Sequence, residues 1–99
     1  MLAAGLDGID RDLDPGEPNR DNLYALSKQE VTEREIITMP PTLLHATEAL
    51  LADAVLREAL GTDPDGDYVD YYAEIKQREF MDYHSVVSAW EVDRYLTLF

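Results

Sequence analysis

Asp63, Asp65, Asp67 and Glu74 stand at the first, third, fifth and twelfth places of a calcium-loop pattern, the positions from which oxygen donors reach a hard cation. The turn chemistry of such a loop is missing. Its sixth place, which needs glycine for a sharp bend, is Tyr68; its eighth is Asp70 where an apolar residue belongs; and Pro64 separates the first two donors. The stretch therefore reads as an acidic helix N-terminus, where carboxylates complement the macrodipole. The two histidines, His45 and His84, do not match a metal-ligand cluster, and both read as surface or partly buried side chains. There is no cysteine to act as nucleophile or thiolate ligand. No residue is assigned a catalytic, cofactor-binding or metal-ligating role.

Helices must carry these residues, and the chain's punctuation predicts where they start and stop. Leu2, Ala3, Leu6 and Ile9 have helical spacing, but Gly5 and Gly8 each weaken a helix by roughly 1 kcal/mol relative to alanine. Residues 1–9 thus read as the end of a truncated helix. Asp14-Pro15-Gly16-Glu17-Pro18-Asn19 makes 10–26 a loop. From 27 to 87 a helical region is expected. Ser27 with Glu30 forms a capping box before a short polar helix that fades by Ile36, and Ile36, Ile37 and Met39 anchor an extended stretch ahead of Pro40-Pro41. Thr42 caps a core helix with Leu43, Thr47, Leu50, Leu51 and Ala54 on one face, continuing or kinking near Asp53 and stopping at Gly61. Beyond Asp63-Pro64-Asp65-Gly66, Tyr68, Val69, Tyr72, Ile75, Phe80 and Tyr83 share one half of a helical wheel, with Asp70, Glu74 and Arg78 opposite. Glu74 and Arg78 are ordered for an i,i+4 ion pair. Ser88 with Glu91 opens a tail helix, 88–99, on which Val92, Tyr95, Leu96 and Phe99 repeat as one apolar face.

Ninety-nine residues with 45% apolar content permit one small domain with a thin core. Twenty-one acidic residues against eight basic ones give a formal charge of −13, which argues against nucleic acid and anionic membrane surfaces as partners. Solubility, or a basic protein partner, remains open. Absence of cysteine is compatible with a reducing compartment. Met1-Leu2-Ala3-Ala4 lacks a basic region and runs at once into Gly5, Asp7 and Gly8, so neither a signal peptide nor a membrane span is expected, and the cytoplasm is the default.

Two landmarks place the chain in a family. The segment Ala3-Ala4-Gly5-Leu6-Asp7-Gly8-Ile9, leading to Asn22-Leu23-Tyr24, and the ending Ser88-Ala89-Trp90-Glu91-Val92-Asp93-Arg94-Tyr95-Leu96-Thr97-Leu98-Phe99 resemble the C-terminal end of a glutamine synthetase family ligase. The aromatic ending is similar to that of the type III, or glutamate–amine ligase, branch and unlike the enteric enzyme's. The resemblance implies a mainly α C-terminal segment, residues 1–99, of a catalytic domain that is α+β as a whole. It also implies a parent that joins glutamate to ammonia, methylamine or a larger amine through a γ-glutamyl phosphate, with ATP and Mg or Mn held by residues upstream. Tyr24 resembles the tyrosine that some bacterial members adenylylate, although Asp21 stands where that pattern has a basic residue; the alternative is an aromatic anchor for the loop. The family's C-terminus acts as a strap between stacked rings of a homo-oligomer. Carried over, that role falls to Trp90, Val92, Tyr95, Leu96, Leu98 and Phe99; the alternative is a tail packed on its own helices. The competing class is a free-standing acidic helical module that binds a basic protein without catalysis.

Overall fold

Short polar side chains decide where four of the α-helices of this protein begin. The computed structural model describes residues 1–98. Their order is α1 (Leu2–Asp10), a single 3₁₀ turn (Leu23–Ala25), α2 (Lys28–Glu33), α3 (Leu43–Ala52), α4 (Ala54–Leu60), α5 (Tyr68–His84), α6 (Ala89–Glu91) and a wide i→i+5 turn (Val92–Leu96). Among the described residues there is no strand, so the segment is mainly α. Ser27 Oγ accepts the Glu30 N–H at 3.2 Å while Glu30 Oε2 accepts the Ser27 N–H at 2.8 Å, which completes the expected capping box. Ser88 and Glu91 repeat it at 3.2 and 2.8 Å. Thr42 caps α3 through the His45 N–H. At Asp53 the chain breaks rather than kinks: with φ −89° and ψ 101° this residue ends α3, and its Oδ1 then accepts the Leu56 N–H at 3.0 Å to start α4.

Helix ends are equally defined. α1 and α2 each finish in the two-bond motif that needs one left-handed residue, Asp12 at φ 49° and Glu35 at φ 53°. Leu13 N–H reaches Gly8 O and Asp12 N–H reaches Ile9 O, both at 3.0 Å; Ile36 and Glu35 repeat the pattern onto Val31 and Thr32 at 3.1 Å. α4 stops at Gly61, whose φ of 96° a side chain would oppose.

The core lies where α3 crosses α5. Val69 (0% exposed), Ala73 (2%) and Thr47 (4%) are the buried residues among those described. Thr47 fits there because its hydroxyl donates to the Leu43 carbonyl at 2.6 Å. The expected apolar half of α5 is thereby corrected: the buried line is Val69–Ala73, with Phe80 half-buried, while Tyr68, Tyr72, Ile75 and Tyr83 are exposed. A small pair facing Thr47 lets two helices approach closely, which tyrosines could not do. α4 touches both α3 and α5, and α1 lies on α4, with Ala3, Asp7 and Gly8 half-buried and Leu2, Leu6 and Ile9 outward. Among the described residues α2 packs on no other element, and the tail packs only on itself.

The result is a plate of 58 × 46 × 18 Å with a radius of gyration of 19.1 Å, against about 12.6 Å for a compact domain of this length. Its accessible surface is 9087 Å², against roughly 5,700 Å² for a folded monomer of the same mass. The single small domain expected from composition is therefore a layer with hardly any interior of its own.

Candidate functional site

The most heavily furnished region is the junction of α4 with the start of α5. A hollow of about 700 Å³ is lined there by Asp63, Asp65, Asp67, Asp70 and Glu74, together with Tyr68 and Tyr71. The carboxylates do not converge on a cation position. Asp67 Oδ2 and Asp70 Oδ1 both accept from Arg57 Nη1, at 2.8 and 3.0 Å, and Glu74 accepts from Arg78 at 2.9 Å in the expected i,i+4 pair. Asp63 Oδ1 takes the Asp65 N–H at 3.1 Å, closing the turn. Among the described residues no three His, Asp or Glu side chains gather into a ligand set.

Arg57 is the residue that sequence reasoning missed. Besides the two carboxylates, its Nη2 donates to the Leu51 carbonyl at 3.1 Å, so one guanidinium joins the end of α3, α4 and the first turn of α5. Its pKa is raised, first by the hydrogen bond to Asp67 and then by that to Asp70. Separations of ten and thirteen residues carry no periodic signal, so nothing in the sequence marks these as partners.

His45 lies in the first turn of α3, its Nδ1 2.6 Å from Thr42 Oγ1, and His84 stacks on Phe80 at 5.4 Å between ring centres, at the end of α5. Neither shares a site with the acidic hollow. Tyr24 is fully exposed, at 101%, in the 3₁₀ turn capped by Asn22, whose Oδ1 takes the Tyr24 N–H at 3.1 Å. The anchoring role weighed for it is not seen: the ring covers nothing within these 98 residues.

In the tail, Trp90 (63% exposed), Val92, Tyr95, Leu96 (71%) and Leu98 are all accessible, and the alternative of a tail packed on its own helices is not what the structure shows. Phe99 lies outside the described residues. The expected α-helical face is altered as well. After Glu91 the turn widens, and the rings of Trp90 and Tyr95 meet edge-on, 6.1 Å apart at 88°. In an α-helix residues five apart point about 140° from each other, so the wider turn is what brings this pair together. Arg94 sits over the Trp90 ring at 5.9 Å. No helix among the described residues is long and apolar enough to cross a membrane.

The family described as glutamine synthetase, catalytic domain, matches residues 1–95. The chain belongs to this family. Glutamine synthetase relatives include that of Halobacterium salinarum, 40% identical over 99 residues, and that of Thermus thermophilus, 41% identical over 99 residues. A protein named glutamate–methylamine ligase, from Methyloversatilis universalis, is also 40% identical over 99 residues. Each match takes in 100% of this chain but 21% of the relative, so the glutamine synthetase segment in hand spans about a fifth of the length of these proteins.

Proposed function

We propose that these residues are the C-terminal structural and assembly segment of an ATP-dependent ligase that joins glutamate to ammonia or an amine through γ-glutamyl phosphate. The observation that carries the reading is the 40% identity across the whole chain to both a glutamine synthetase and a glutamate–methylamine ligase. The excess surface supports the structural half of it, since a layer exposing roughly 3,400 Å² more than a folded monomer calls for a large body to cover it. A divalent metal finds no ligand set among the described residues, where Asp67 and Asp70 are turned to Arg57 and Glu74 to Arg78, and ATP is proposed to bind upstream with it. In this reading both are held by residues outside the segment, in the cytoplasm, and this chain alone is inactive.

The accessible tail is the segment proposed to reach a neighbouring subunit, through Trp90, Val92, Tyr95, Leu96, Leu98 and Phe99. Each large apolar side chain that becomes buried there is worth roughly 1.5 to 3 kcal/mol before ordering costs. Tyr24, with its hydroxyl in the open, is the proposed modification site. The deciding experiment is glutamate-dependent phosphate release by the whole protein with ATP and Mg²⁺, run separately with ammonium, methylamine and a larger amine. Release with one of these nucleophiles supports the ligase. Release with none of them, from folded protein, sinks it.

A further inference from the structure

Charge on this plate is badly out of balance, and geometry shows how little of it is neutralised. Six ion pairs engage Asp7, Asp21, Asp67, Asp70, Glu74 and Glu79. The other fifteen of the 21 carboxylates meet no cation within 4 Å among the described residues. Five of the eight cations are already used in those pairs. Among these fifteen, Asp10, Asp12, Asp14 and Glu17 are all exposed at and just beyond the end of α1, and Asp63 and Asp65 are the unpaired carboxylates of the acidic hollow, where Asp67, Asp70 and Glu74 are held by Arg57 and Arg78.

We propose that this segment is built to work at high ionic strength, its packing opposed by carboxylate self-repulsion until salt screens it. Screening acts on both kinds of interaction, so magnitudes decide the sign. The ion pairs are mostly exposed, and exposed pairs contribute little even in dilute buffer. Repulsion among fifteen unpaired carboxylates is the larger quantity, and it drops steeply as the Debye length shrinks from about 10 Å at 0.1 M to about 3 Å at 1 M salt. Net stability therefore rises with salt.

The test uses the whole protein and a variant with D10N, D12N, D14N, E17Q, D63N and D65N together. Asparagine keeps the side-chain turns that Asp14 and Asp63 make with Gly16 and Asp65. Thermal unfolding is followed in KCl from about 0.1 to about 1 M, the range over which screening develops. Wild type should gain several degrees, most of it at the lower end of the range, whereas the neutralised variant should start higher and gain less than half as much. A wild-type midpoint that is flat or falls with salt overturns the proposal. So does an equal gain in the two proteins, which would mark general salting-out, or a low-salt midpoint in wild type matching the variant's, which would leave the acidic surface for a basic partner.

Discussion

Asp12 and Glu35 hold the left-handed backbone that ends α1 and α2, a conformation costing a side-chain-bearing residue about 1–2 kcal/mol. Replacing Glu35 by glycine should therefore stabilise the end of α2 by about 1 kcal/mol, read as helicity around Val31–Glu33 by NMR chemical shifts. The reverse change at Gly61, φ 96°, should cost about 1–2 kcal/mol and lower the unfolding midpoint of the whole protein. Gly61 was legible because a glycine after an apolar-periodic run marks a helix end. Asp12 and Glu35 were not, since nothing about an acidic residue announces a positive φ. Arg57 was likewise illegible, its partners being brought to it by the path of α4 and the loop before α5. Its loss should still be felt: Arg57→Ala leaves Asp67 and Asp70 facing each other without a cation, and should lower the midpoint more than Arg78→Ala, which removes an exposed pair.

At the scale of elements, α2 offers the cleanest measurement because it packs on no other helix and depends chiefly on its own ends. Ser27→Ala should cost it about 1 kcal/mol. Glu30 completes the same box, and its pKa lies below the ordinary glutamate value, chiefly because it accepts the Ser27 backbone N–H. A carboxylate with a lowered folded pKa contributes stability that is fully present above the ordinary value and is lost as pH falls through the lowered one. The helicity of α2 should accordingly drop on acidification below the ordinary carboxylate range. Glu30→Gln, which keeps a hydrogen-bonding side chain without its titration, should flatten that dependence. The box at Ser88–Glu91 should behave alike, since Glu91 is lowered for the same first cause. Caps were readable because they are local: Ser-x-x-Glu is written within four residues. The buried side of α5 was not, because its apolar residues fill half a wheel, and the choice of Ala73 over Tyr72 was made by Thr47 on another helix.

For the whole molecule, the proposed strap predicts that removing Trp90 to Phe99 from the complete protein reduces its assembly size in light scattering while each subunit stays folded. An unchanged assembly with unchanged resistance to dilution would leave the tail as ordinary surface or core. The family could be read from short strings at the two ends of the chain, but the shape of this part could not, because a sequence with enough apolar content for a core does not say on which side of a helix its partner lies. That shape has one more consequence. A plate 18 Å thick is less than two helix diameters deep, so no amide in it is far from a face. Helical amides exchange with solvent deuterium when their segment opens locally, and how often it opens is set by what packs on it. In the isolated chain, slow exchange should be confined to the neighbourhood of Val69 and Ala73. In the complete protein, additional slow amides should appear in the helices that become covered, so the difference between the two exchange maps would show which elements the neighbouring body packs on.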